Sequence, residues 1–168
     1  MELRIAGTVP ESVVDGEGFR FTIFTQGCPH HCDKCHNPST WDFHGGEVVD
    51  TEDIIEKLGK NPLLQGVTFS GGEPFMQPEP LTHIAKVAHE KGLDVWSWSG
   101  FRYEEIIADD KKRALLENVD ILVDGRFEIA NRHLGLMFRG SSNQRIIDVR
   151  KSLESGEVII WDGVRDDV

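Results

Sequence analysis

The sequence predicts an α/β fold built on parallel strands, and two observations carry that prediction. Short runs rich in β-branched and aromatic residues alternate with segments of helical periodicity. Strand–helix–strand repetition places successive strands parallel, with helical crossovers between them. Polar constellations also recur just after each predicted strand, where folds of this class collect their functional groups.

Taken in order, Arg20 to Thr25 (RFTIFT) reads as the first strand and runs straight into a group of cysteines. Asp50 or Thr51 caps a helix through about Leu58, with Ile54, Ile55 and Leu58 on one face. Gly66 to Ser70 is the second strand, ended by Gly71-Gly72. Pro80 suits a first helical position, and Leu81, Ile84, Ala85 and Ala88 repeat at helical spacing until Gly92. Asp94 to Ser99 is the third strand. Tyr103 to Glu117 is helical with a break near Asp109-Asp110, and Val119 to Val123 is the fourth strand. Arg145 to Val149 and Val158 to Trp161 are weaker strands.

Alternation along a strand puts Val95, Ser97 and Ser99 on one face and Trp96 and Trp98 on the other. With the small polar side chains facing a ligand-filled interior, the two tryptophans are expected beneath the helices. Asp124 and Arg126 share a face, either toward a ligand or as an ion pair sealing the sheet.

A chain of 168 residues with 39% hydrophobic and 28% charged residues is expected to be one soluble domain, 1–168. Its apolar runs fall far short of the roughly 20 residues a membrane span needs. The first residues, Met1-Glu2-Leu3-Arg4-Ile5, lack a basic region followed by an apolar stretch, so no secretory signal is expected. A net charge of −11 argues against nucleic acid as a partner. Unpaired thiols argue for a reducing cytoplasm.

The three cysteines, Cys28, Cys32 and Cys35, lie within eight residues of one another. An odd number this close cannot form a closed disulfide set. At roughly 3.3–3.6 Å of chain per residue, one loop can wrap three corners of an iron–sulfur cluster. The fourth iron then lacks a protein thiolate and is open to a substrate. Structural zinc remains an alternative, because His30, His31 or His36 could complete a four-ligand set. Zinc ligands usually come as two separated pairs, however, and no second pair follows. A passive electron carrier would normally supply four cysteines per cluster.

Cys28-x-x-x-Cys32-x-x-Cys35 followed by His36-Asn37, with Ser70-Gly71-Gly72-Glu73-Pro74 after the next strand, resembles the radical S-adenosylmethionine enzymes. The run from Cys35 to Trp41 narrows the resemblance to the group that activates glycyl-radical enzymes. Asp94 to Phe101, Leu122 to Phe127, Phe138 to Arg145 and Val14 to Arg20 are similar to the anaerobic ribonucleoside-triphosphate reductase activating proteins. The pyruvate formate-lyase activating enzymes share the cysteine loop but are typically longer.

The resemblance implies a partial, open (β/α) TIM-like barrel of parallel strands, the short radical SAM core. It implies a 4Fe-4S cluster on Cys28, Cys32 and Cys35, with S-adenosylmethionine bound at the open iron. One electron would break the carbon–sulfur bond of the sulfonium, and the resulting 5′-deoxyadenosyl radical would take hydrogen from a glycine of the reductase. By position, Ser70, Gly71, Gly72 and Glu73 are expected at the methionine moiety. The backbone of Lys34, Cys35 and His36 is expected at the adenine, and Ser97, Ser99, Asp124 and Arg126 around the ribose and carboxylate. An electron donor such as flavodoxin or ferredoxin is implied as a further partner.

Overall fold

The computed structural model describes residues 1–167. Seven strands form one sheet: β1 (Glu2–Ser12), β2 (Arg20–Thr25), β3 (Glu47–Asp50), β4 (Gly66–Gly71), β5 (Asp94–Trp98), β6 (Ile121–Asp124) and β7 (Arg145–Asp148). The five helices are α1 (Thr51–Leu58), α2 (Pro78–Glu90), α3 (Tyr103–Ile107), α4 (Asp110–Leu116) and α5 (Val149–Ser155). The strand order is β3-β1-β2-β4-β5-β6-β7. The protein is therefore a mixed α/β fold.

The four central strands, β2, β4, β5 and β6, are parallel, with α2 crossing from β4 to β5 and α3 and α4 from β5 to β6. The outer pairings β1–β2, β1–β3 and β6–β7 are antiparallel, which corrects the expectation of parallel strands throughout. The reason lies in the connections. Residues 13–19 and 125–144 contain no α-helix to carry the chain back across the sheet, so each following strand returns alongside its predecessor.

Helix boundaries follow local chemistry. Asp50 caps α1 by accepting from Glu52 N–H at 3.0 Å. Asp109 accepts from Lys111 and Lys112 N–H at 3.1 and 3.0 Å, which breaks the 103–117 segment where the sequence places a break. Helix α2 begins at Pro78 rather than at Pro80, because Pro78 already takes the first-turn position whose N–H needs no partner. Residues 158–161 form only a single bridge, Ile147 to Ile160, rather than a strand.

Two apolar clusters lie on opposite faces of the sheet. Helices α1 to α4 cover the first, where Phe21, Ile23, Val67, Phe69, Val95 and Leu122 meet Ile54, Leu81, Ile84, Ile106 and Leu115. The second holds Trp96, Ile121, Val123 and Ile146, packed by Trp98, Phe138 and Trp161. Trp96 meets Phe138 and Trp161 edge-on at centroid distances of 5.3 and 5.1 Å. The expectation that the tryptophans lie beneath the helices is thus inverted. Val95 and Ser97 face the helices, and Trp96 and Trp98 fill the inner face. Aromatic area is what this sheet uses to pack the loops that close over it.

One buried cation anchors the far end of that inner face. Arg20 is fully buried, with its guanidinium 5.4 Å from the centre of the Trp96 ring. It donates to Thr68 Oγ1 (2.7 Å), the Glu17 carbonyl (2.8 Å), the Val67 carbonyl (3.0 Å) and Asp94 Oδ1 (2.5 Å). Burial pulls its pKa down, and the neighbouring Asp94 carboxylate opposes that shift.

Candidate functional site

The C-terminal ends of β2, β4, β5 and β6 lie side by side, so the four polar constellations converge on one rim. The cysteine loop is tied to the β4 end by backbone bonds. Gly72 N–H donates to the Thr25 carbonyl and Glu73 N–H to the Gly27 carbonyl, both at 2.8 Å. A side chain at Gly72 would put its Cβ 2.5 Å from the Gly27 oxygen and 2.9 Å from the Thr40 oxygen. That glycine is needed for contact with the cysteine loop itself, a role the sequence does not disclose. Gly71 adopts φ +92° in the same turn.

A cavity of about 140 Å³ opens between these segments. Cys28, Cys32 and Cys35 all line it, together with Ser70, Gly71, Gly72, Ser99 and His36. All three thiols are free. Left-handed backbone at His31 (φ +49°) and Lys34 (φ +58°) makes the turns of the loop that carries them. Burial pushes the Cys28 and Cys32 thiols up from the ordinary cysteine range. Coordination to a cationic centre reverses this, because a metal-bound thiol is deprotonated. No three His, Cys, Asp or Glu side chains converge as ligands of a single metal ion among the described residues.

The cysteine cavity continues into a second one of about 330 Å³, and the two share His36, Asn37, Ser70, Trp98, Phe127 and Gln144. His36 packs on Phe127 with centroids 5.1 Å apart, giving an aromatic wall beside Cys35. A third cavity of about 440 Å³ adjoins at Gly100 and Gly125 and contains Arg102, Arg126 and Arg145 balanced by Glu105, Asp124 and Glu128. Its lining is larger but carries no soft donors.

Glu73 stands behind the wall rather than on it. Its fully buried carboxylate accepts from His30 Nε2 (2.7 Å), Ser99 Oγ (2.9 and 3.0 Å), Gly100 N–H (2.7 Å) and Phe75 N–H (3.0 Å). Arg126 Nε donates to His30 Nδ1 at 3.2 Å, which leaves the His30 proton on Nε2, facing Glu73. A side chain on Gly100 would meet the His30 ring at 2.3 Å. Cysteine loop, β4 end and β5 end are thereby bolted together through one acid.

The remaining expected residues divide. Ser70, Gly71, Gly72, Ser99, Cys35 and His36 line the cysteine cavity. Ser97 does not: it is buried on the helix side, donating to the Trp98 carbonyl at 3.1 Å. Lys34 is exposed and does not line the cavity. Asp124 is buried against the start of α3, accepting from Tyr103 N–H (2.8 Å) and from Arg145 Nε and Nη2 (3.0 and 2.5 Å). An ion pair therefore does close the sheet, but Asp124 forms it with Arg145 rather than with Arg126. Arg145 also meets Glu104 at 2.9 Å, and these carboxylates raise its pKa.

Sequence reasoning passed over Gln144, Phe127, Trp98 and Trp41 as lining residues. Gln144 donates to the Gly125 carbonyl (2.9 Å) and accepts from Gly140 N–H (2.9 Å), fastening the 139–145 run to the end of β6. Arg139 in the same run pairs with Asp166 and so holds the C-terminal segment.

A family model described as a 4Fe-4S single cluster domain matches residues 14–147. Curated relatives of the chain carry the name anaerobic ribonucleoside-triphosphate reductase-activating protein. The Haemophilus influenzae protein is 36% identical over 147 residues, covering 82% of this chain and 92% of its own length. The Vibrio cholerae protein is 38% identical over 146 residues with the same coverage. The chain belongs to this family. The relative from Enterobacteria phage T4 is 32% identical over 145 residues, covering 82% of this chain and 88% of its own. Among solved structures, QueE from Escherichia coli aligns with a TM-score of 0.45 at 19% identity, over 60% of this chain and 53% of that one.

The residues present fit the cofactor that the family carries. Three soft donors free of disulfides line one cavity, the glycine turn brings backbone to its edge, and an adjoining cavity has an aromatic side and the hydroxyl-bearing Ser70. Such a donor set suits iron–sulfur coordination.

Proposed function

We propose that this protein is a radical S-adenosylmethionine activase that generates a glycyl radical on anaerobic ribonucleoside-triphosphate reductase. The observation that carries the reading is the shared cavity: three free thiols and the Ser70-Gly71-Gly72 turn on one wall, opening into a space of about 330 Å³. When bound, the 4Fe-4S cluster and S-adenosylmethionine supply the electron and the sulfonium cleavage from which hydrogen abstraction at the reductase's glycine follows.

The chain's own residues hold, orient and shield. Cys28, Cys32 and Cys35 would hold the cluster and supply no fourth thiolate, so the site would keep room for a cosubstrate at the iron. Gly71 and Gly72 bring backbone close to the methionine end, with Ser70 and Ser99 flanking it. Glu73 fixes that wall from behind through Ser99 and His30. His36 and Phe127 form the side against which an adenine would rest, next to the backbone of Lys34 and Cys35. Arg126, held by His30, lines the adjoining cavity of about 440 Å³ and serves a carboxylate. Asp124 acts by holding Arg145 and the start of α3, and Ser97 supports the strand from the helix side. Water exclusion falls to Trp98, Phe127 and Phe138.

We read the parallel centre of the sheet as the short core of an open (β/α) barrel within a single domain, 1–168. The unpaired thiols fit a reducing cytoplasm, and a flavodoxin or ferredoxin fits the need for a one-electron donor. No helix among the described residues is long and apolar enough to cross a membrane.

The test is anaerobic reconstitution with iron and sulfide, reduction, and addition of S-adenosylmethionine. The expected products are 5′-deoxyadenosine and methionine, with a glycyl-radical signal in electron paramagnetic resonance when the reductase is present. Cosubstrate cleavage without that signal would assign the protein to another client.

A further inference from the structure

One residue that lines the cysteine cavity carries a buried polar atom left unsatisfied by the chain itself. Trp41 lines the cavity with the three cysteines, and its carbonyl accepts from Cys28 N–H at 3.1 Å, so the two residues are backbone neighbours. His31, in its left-handed conformation, stacks on the indole at 4.6 Å with the ring planes 9° apart. The indole Nε1–H is shielded from solvent and has no acceptor. Three other buried side-chain atoms among the described residues share that condition, Thr22 Oγ1, Thr51 Oγ1 and Asn143 Oδ1. None of those residues lines the cysteine cavity. Trp98, the other tryptophan there, donates to the Phe138 carbonyl at 3.1 Å.

An indole nitrogen is a donor only, and buried donors are seldom left without a partner. Trp41 is also a lining residue of the cavity that the three cysteines share, so a group seated there is the candidate acceptor. We propose that Trp41 Nε1–H donates a hydrogen bond to a sulfur of the iron–sulfur cluster and thereby raises its reduction potential. This rests on Cys28, Cys32 and Cys35 as the cluster ligands. Hydrogen bonds to the sulfurs are one of the levers that set such potentials. Reduction adds negative charge that the sulfurs share, so a fixed N–H favours the reduced form more than the oxidised form. The His31 stack holds the indole plane in place, so the donor need not reorient when the electron arrives. In a chain of net charge −11, this dipole offsets part of the field that opposes reduction.

Trp41→Phe keeps a ring for His31 to stack on and removes the N–H. After anaerobic reconstitution, the variant is expected to bind the native complement of iron and sulfide. Its potential, read by spectroelectrochemical titration, is expected to fall. A reduction equilibrium about tenfold less favourable corresponds to about 59 mV for one electron. A second measurement uses the unsubstituted protein with ¹⁵N-indole tryptophan. Pulsed electron paramagnetic resonance of the reduced cluster is expected to show a weak ¹⁵N coupling that Trp41→Phe removes and Trp98→Phe keeps.

An unchanged potential in a fully loaded Trp41→Phe protein overturns the proposal, as does the absence of ¹⁵N coupling in the unsubstituted protein. Should Trp41→Phe take up no cluster, the ¹⁵N coupling of the unsubstituted protein decides alone. Failure of the unsubstituted protein to assemble any cluster refutes the ligand assignment, and this inference with it.

Discussion

Replacing Glu73 by glutamine separates a residue that touches the cosubstrate from one that builds the wall behind it. The carboxylate satisfies four donors: His30 Nε2, Ser99 Oγ, Gly100 N–H and Phe75 N–H. Three of them converge on Oε1, while Oε2 serves Phe75 and shares Ser99. A glutamine has one acceptor oxygen, so its best rotamer keeps that oxygen at the Oε1 position and turns its amide toward Phe75 N–H. One charge-assisted bond is lost outright and two donors are left facing each other. Such bonds contribute about 1.5–3 kcal/mol each. For a chain of this size each kcal/mol moves the melting temperature by about 2–4 °C, so Glu73→Gln is expected to lower Tm by roughly 3–12 °C. The assay is a thermal melt of the cluster-free protein under anaerobic reducing conditions. The effect must appear there, with no cluster and no cosubstrate present. A variant that melts within about 1 °C of the native protein yet binds S-adenosylmethionine more weakly when loaded would refute this, and would make Glu73 a direct contact.

Cys32→Ala is expected to abolish cluster assembly and 5′-deoxyadenosine formation while changing the cluster-free melt little, since Cys32 is only partly buried; iron content and the melt check both halves. Gly72→Ala forces a Cβ into the Gly27 and Thr40 backbone oxygens. It is expected to cost about 1–3 kcal/mol and to lower iron content per chain, read by urea midpoint and metal analysis. Arg20→Met removes a buried guanidinium with every nitrogen engaged. Because the Asp94 carboxylate it leaves is partly exposed, the expected loss is that of unpaired buried hydrogen-bond partners, about 1–3 kcal/mol, with Arg20→Lys intermediate, measured by urea denaturation. The Arg139 guanidinium and Met137 N–H hold the Asp166 carboxyl below its ordinary value of 3.8. A depressed acid contributes stability above its ordinary value and loses it as pH falls through its lowered one. The native C-terminal segment should therefore exchange amide hydrogens more slowly than that of Asp166→Asn at neutral pH. That difference should shrink as pH falls below the ordinary aspartate value and vanish once it passes the lowered one.

The parallel centre of the sheet was legible because each of its strands is a compact β-branched or aromatic run flanked by turn residues or a helix. The cysteine loop was legible for a stronger reason: spacing along one loop confines where three thiols can go, whatever the rest of the chain does. β1 and β3 were not legible. Glu2 to Ser12 alternates only through Ile5 before Ala6-Gly7 and Pro10 break the pattern, and Glu47 to Asp50 is four residues long. Both are strands only because β2 and one another supply their hydrogen bonds. Alternation separated Ser97 from Trp96 correctly but could not say which side faces inward. That was decided by Phe138 and Trp161, which arrive from far along the chain to pack on the tryptophans. Likewise the sequence marks Glu73 and Asp124 as polar residues at strand ends. Only the tertiary structure commits the first to His30 and Ser99 and the second to Arg145, because a carboxylate's partners depend on which donors folding buries beside it.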